Sequence, residues 1–146
     1  MIGEPYDNFL KGSVYIFKKN GSIWSQQQKL TASDGANDDY FGGSASLYDD
    51  YALIGAYSTN DIGTASGSAY IFKRNGSTWT QQQKLIASDS VENHHFGNSV
   101  SLYGDYALIG TLEATNRGSA YIFKRNGSTF TQQSKFTASD GADDDA

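Results

Sequence analysis

One segment of the chain is written three times: GSVYIFKKNGSIWSQQQKLTASDG at 12–35, GSAYIFKRNGSTWTQQQKLIASDS at 67–90 and GSAYIFKRNGSTFTQQSKFTASDG at 118–141. A second segment, FGGSASLYDDYALIGAY at 41–57, returns as FGNSVSLYGDYALIGTL at 96–112. The first recurs after 55 and then 51 residues and the second after 55, so the unit is 50 to 55 residues long. This repetition restricts the fold more than any other feature. A unit of that size cannot bury its apolar surface alone, and stacking against its neighbours is what supplies a continuous core. The chain reads as one repeat domain over 1–146, with units at about 1–40 (partial), 41–95 and 96–146. The length difference falls after YALIG, where 11 residues precede Gly67 but only 7 precede Gly118, which marks a surface loop of variable length.

The pieces of a unit read as strands. GSAYIFK is rich in aromatic and branched residues and runs into Arg74-Asn75-Gly76-Ser77, whose Asn-Gly pair suits a two-residue hairpin turn. Alternation puts Ala69 and Ile71 on one side and Tyr70 and Phe72 on the other, so both faces of this strand are apolar. YALIGA behaves likewise, with Tyr51 and Leu53 opposite Ala52, Ile54 and Ala56. IWSQQQKL differs. Strict alternation places Trp24, Gln26, Gln28 and Leu30 on one face and leaves the other polar, the profile of an outer strand blunted by lysine and glutamine. FGGSASL turns through Tyr48-Asp49-Asp50 into YALIG, and Tyr103-Gly104-Asp105 does the same in the next unit.

Four short antiparallel strands per unit, apolar on both faces, predict an all-β fold of β-propeller-type blades, about two and a half of them, forming an incomplete ring. A β-solenoid is the alternative, but its rungs are shorter and hairpin turns fit it poorly. Ile2-Gly3 matches Ile54-Gly55 and Ile109-Gly110, so the chain opens at the end of a strand, and it stops where a further FG segment is due. Ten strands per chain make twenty in a dimer, enough for five blades across a two-fold. The expected partners are therefore neighbouring repeats of a longer chain or a second copy.

Composition narrows the function. The chain carries 16 acidic against 11 basic residues for a net charge of -5, which opposes the basic surface that nucleic acid requires. It has no run of 18 apolar residues for membrane insertion, and residues 1–10 lack the basic start and apolar run of a secretory signal. With no cysteine it has no disulfide, thiolate ligand or thiol nucleophile.

The residues Phe41-Gly42-Gly43-Ser44 and Phe96-Gly97-Asn98-Ser99, with Leu53-Ile54-Gly55-Ala56 and Leu108-Ile109-Gly110-Thr111, resemble the FG-GAP repeats of integrin α subunits and of tandem-repeat surface proteins of microbes. The likeness is closer to the bacterial-type subgroup. It implies a non-enzymatic binding or adhesion propeller of an extracellular or cell-surface protein, with a protein or glycan as ligand. The proline of GAP is absent from both copies. In integrins the loop between the FG and GAP strands carries a calcium motif, whereas here it is only three residues long.

Several residues are candidates for chemistry. Asp34, Asn37 and Asp38, with Asp140, Asp143 and Asp144, offer oxygens to a hard cation such as calcium; otherwise they form solvated turns between blades. No other cofactor is called for. Trp24 and Trp79, followed by Phe130 in the third copy and accompanied by Gln26, Gln81 and Gln132, are candidates for stacking on a sugar, or for packing between blades. His94 and His95 lie beside Glu92, but neighbours in extended chain point opposite ways and converge poorly on one metal. Asn20, Asn75 and Asn126 satisfy the N-glycosylation pattern, which the Asn-Gly turn explains without a sugar. No nucleophile, base and acid form a catalytic set; a carboxylate pair such as Asp50 with Asp105 is what a propeller channel could bring together. The segments 57–66 and 112–117 differ most between units and are the expected specificity loops.

Overall fold

The computed structural model describes residues 1–112 and 118–139. They form eleven strands in three antiparallel sheets. The first sheet has the order β1 (Ile2–Glu4), β2 (Ser13–Asn20), β3 (Ile23–Leu30). The second is β4 (Ser44–Tyr48), β5 (Tyr51–Ala56), β6 (Ser68–Asn75), β7 (Thr78–Leu85), and the third repeats it as β8 (Ser99–Tyr103), β9 (Tyr106–Gly110), β10 (Ser119–Asn126), β11 (Thr129–Thr137). Each sheet is a simple meander, as the hairpin turns dictate, and the three are stacked as blades of an open array. The strands number eleven rather than ten, because Ile2–Glu4 pairs with Ser13–Tyr15 as a strand in its own right. The first blade has three strands and the other two have four each, an open array of incomplete blades as the sequence reading expects.

Two cores lie between the sheets, one at each junction. Val14, Ile16 and Leu30 of the first blade meet Ala52, Ile54, Tyr70, Phe72 and Trp79 of the second, with Phe41 between them. Tyr51, Leu53, Ala69, Ile71 and Leu85 on the far side of the second blade meet Ala107, Ile109, Tyr121, Phe123 and Phe130 of the third, with Phe96 between them. The second blade is thus apolar on both faces, as the alternation in β5 and β6 requires. Burying a side chain such as Phe41 or Tyr70 contributes about 1.5–3 kcal/mol, and that burial exists only where two blades touch.

The outer strands depart from strict alternation. Between Ile16 and Phe17 the register of β2 with β3 shifts by one residue, so Ile16 pairs with Gln28 and Phe17 with Gln26, leaving Gln27 as a bulge. The same bulge recurs between Ile71 and Phe72 and between Ile122 and Phe123. An extra residue reverses the facing of everything beyond it. Trp24 and Gln26 consequently lie on the opposite face from Gln28 and Leu30, not on the same one. This reversal lets Trp79 face the first blade while Leu85 of the same strand faces the third.

Glycine explains the FG and GAP positions. A Cβ on Gly55 would stand 2.0 Å from the carbonyl oxygen of Gly97 in the next blade, and one on Gly3 would stand 2.0 Å from that of Gly42. The GAP glycine of one blade and the FG glycine of the next approach too closely for any side chain.

Candidate functional site

Antiparallel meanders put alternate connections at opposite ends of a blade. One end carries only tight turns, such as Gly21-Ser22, Asp49-Asp50 and Gly76-Ser77. The other gathers the long segments 5–12, 31–43, 57–67 and 86–98. On this rim a row of rings crosses the blade junctions: Tyr6 meets Tyr40 edge-on at 6.0 Å between centroids, Tyr40 stacks on Tyr57 at 5.1 Å, and Tyr57 meets His95 at 6.1 Å. Tyr40 and His95, each just before an FG pair, hold left-handed backbone at φ 55° and 49°. Non-glycine residues seldom adopt that conformation, which costs on the order of 1–3 kcal/mol and concentrates at functional positions. Backbone bonds over-determine it. The Tyr40 N–H donates to the Leu10 carbonyl at 2.9 Å and its carbonyl accepts from Gly43, while the His95 N–H donates to the Ala65 carbonyl at 3.0 Å. Burial pushes the Tyr57 hydroxyl pKa up. The sequence pattern did not reveal this row, because its members come from four separate loops; tyrosine and histidine at the position before each FG pair were the only signal.

Beside the row stands a charged cluster. Lys84 donates to Asp34 at 2.6 Å and to Asp61 at 2.5 Å, Tyr70 donates its hydroxyl to Asp34 at 3.0 Å, and Ser68 donates to Asp61 at 2.5 Å. Burial resists the charge on Asp34 and Asp61, yet the bonds from Lys84, Tyr70 and Ser68 outweigh it and hold both carboxyls below the usual value of 3.8. Asp39, 4% exposed and accepting from the Ala36 N–H at 2.7 Å, is pushed up by burial. The cluster recurs one blade on, where Lys135 and Tyr121 both donate to Asp89, and Tyr121 is pushed up to about 12, first by burial. Each cluster links the ASD turn of one blade to the lysine and tyrosine of the next.

Glutamines complete the junctions. Gln28 receives the Trp79 N–H at 2.7 Å and donates to its carbonyl at 2.8 Å, as a strand neighbour would. Gln83 holds Phe130 in the same way, at 2.8 Å in both directions. The first glutamine of the second and third runs reaches backwards, with Gln81 paired to Ser33 and Gln132 to Ser88 of the preceding blade.

These contacts place the residues singled out in the sequence. Among the calcium candidates, Asp34 is bound to an ammonium and a phenol, whereas Asn37 and Asp38 are exposed in a turn where Asp38 has φ 67°. Asp140, Asp143 and Asp144 lie outside the described residues. No group of three or more acidic or histidine side chains among the described residues is arranged to hold a metal. Trp79 is corrected as a sugar platform: it is 4% exposed, packed between two blades, and presents no ring face outward. Trp24 is 63% exposed on the outer face of the first blade. His94 is buried against Tyr121, with Nε2 3.1 Å from its hydroxyl, while His95 turns to the Tyr57 carbonyl at 3.2 Å. Asp50 and Asp105 are each bound by an arginine of their own blade, Arg74 and Arg125, at the tight-turn end. Of the two variable loops, 57–66 is pinned through Thr59, Asn60 and Ser66, with Ile62 62% exposed at its tip. In the other, only Leu112 lies within the described residues.

No helix of the described residues is long and apolar enough to cross a membrane. A search of curated proteins finds no match to the chain. The family model of the FG-GAP repeat matches it twice, over residues 24–72 and 79–123, each match running from the outer strand of one blade into the inner strands of the next. With nearly two thirds of its length so matched and the close glycine contacts that give the motif its sense, the chain belongs to the FG-GAP repeat family.

Proposed function

We propose that this chain is a non-catalytic, propeller-type binding module of an extracellular or cell-surface protein, whose contact surface is the rim bearing Tyr6, Tyr40, Tyr57 and loop 57–66. The observation that carries the reading is the aromatic row, set among the long loops by strained but fully hydrogen-bonded backbone. Rigid rings with a polar tip suit either a protein loop or the apolar face of a sugar, because they give contact area at little entropic cost. The FG-GAP repeat suggests adhesion, and a stacked array is suited to rigid display. The charged side chains near the row are bound to one another, which supports a binding role over a catalytic one.

The test is an adhesion assay on the purified chain, with beads probed against immobilised matrix proteins and a glycan array. Tyr40→Ala and Ile62→Ser should each lower retention at least tenfold on whichever surface the chain binds, with an unchanged circular dichroism spectrum. Absence of binding to both surfaces, or binding indifferent to both substitutions, overturns the rim assignment. A second reading, self-association, is favoured by the uncovered faces of the two terminal blades, where Trp24 and Phe136 stand 63% and 52% exposed.

A further inference from the structure

The two terminal faces are unlike each other and match as the two sides of an internal junction do. On the outer face of the first blade, Tyr15, Phe17 and Trp24 hold the positions that Tyr70, Phe72 and Trp79 hold on the second blade, where they are covered by the first. On the outer face of the third blade, Leu108, Ile122 and Phe136 hold the positions of Leu53, Ile71 and Leu85, which the third blade covers. Position for position, exposure tracks whether a neighbour is present. Trp24 is 63% exposed and Trp79 4%; Leu108 is 43% exposed and Leu53 0%.

The polar links repeat the pattern. Lys29 binds Asp7, which takes the place of Asp61 by also accepting from the first serine of the strand, Ser13 at 2.8 Å. Among the described residues no carboxylate stands to the Tyr15 hydroxyl as Asp34 does to Tyr70 and Asp89 to Tyr121. Among them, too, no serine pairs with Gln26 as Ser33 does with Gln81 and Ser88 with Gln132. The third copy of the turn supplies both missing groups in sequence, as Ser139 and Asp140. Only the forward clamp is lost, because Ser134 stands where Gln28 and Gln83 reach the backbone of the next aromatic.

We propose that two copies of this chain associate head to tail, the outer face of β8–β11 of each seating the outer face of β1–β3 of the other. Gln26 of one copy receives Ser139 of the second. Two copies bring six sheets, four of four strands and two of three, within the range of about four to eight blades that closes a propeller. The axis then runs along the channel, and both junctions reproduce those inside the chain. This deepens the self-association reading by naming surface, polarity and partner, and it is independent of what the rim binds.

Sedimentation velocity on the whole chain tests it. The wild type should be a dimer. Trp24→Lys and Phe136→Lys, both at exposed positions that leave the internal cores intact, should each be monomeric. An equimolar mixture should form a one-to-one heterodimer through the single junction that neither substitution touches. Ser134→Gln restores the missing pair of hydrogen bonds at each of the two junctions and should tighten the dimer by roughly a hundredfold, as four net bonds allow. A dimer that survives one lysine variant but not the other means that like faces meet, which overturns the polarity while self-association stands. Mass that keeps growing with concentration overturns closure at six blades. A wild type that is monomeric at every concentration overturns both the proposal and the self-association reading.

Discussion

Replacing Gln83 by Met, and separately its neighbour Gln82 by Met, isolates the junction chemistry in adjacent residues of one type. Gln83 makes two bonds of 2.8 Å to the backbone of Phe130, a residue only 2% exposed, so its loss strands a donor and an acceptor between blades. Each bond is worth about 0.5–1.5 kcal/mol net, and each buried group left unsatisfied costs about 1–3 kcal/mol. Methionine returns some packing, which sets the expected loss at about 2–4 kcal/mol. For a chain of 146 residues, about 3 °C of melting temperature per kcal/mol converts this to roughly 6–12 °C. Gln82 is exposed and its amide reaches only Thr80, at 3.4 Å, so Gln82→Met should stay within about 0.5 kcal/mol. Guanidinium titration followed by circular dichroism gives both values, and hydrogen exchange at the Phe130 amide reports the junction directly. Equal losses in the two variants, or an unchanged Phe130 exchange rate in Gln83→Met, would refute the reasoning.

Gly55→Ala should cost more than about 3 kcal/mol, because a Cβ 2.0 Å from the Gly97 carbonyl forces two blades apart; denaturant melts check it, and a loss below 1 kcal/mol would show that the blades shift freely. Trp79→Ala should lose about 3–5 kcal/mol as a core truncation, whereas Trp24→Ala loses little in the monomer; similar values for both would contradict their different burial. Stability should fall in acid below the ordinary aspartate value of 3.8, as Asp34, Asp61 and Asp89, lowered in the folded chain, take up protons and release Lys84 and Lys135. Asp39 acts with the opposite sign, its raised value making protonation favourable to folding. At the alkaline end the raised lysines give stability that is complete below 10.5 and fades above it. Urea melts across pH, repeated with Lys84→Met, should show both limbs flattened in the variant; unchanged limbs would remove the cluster as their cause.

Sequence alone determined the repeat, the all-β meander, the hairpin turns and the two-faced strands β5 and β6, since these rest on local alternation and turn chemistry that neighbouring residues carry between them. It also supplied the FG and GAP glycines, whose close approach the structure then explains. The tertiary structure decided what depends on the partner across a junction. The bulge at Gln27 is a property of paired strands, so strict alternation misplaced Trp24 and Gln26 relative to Leu30. The glutamines of a run look alike in sequence, yet Gln28 and Gln83 reach forward and Gln81 and Gln132 back, to residues 44–51 positions away. Asp34 reads as a free carboxylate until Lys84 and Tyr70 arrive from the next blade. The aromatic rim and the complementary terminal faces arise in the same way, from residues that only stacking brings into one surface.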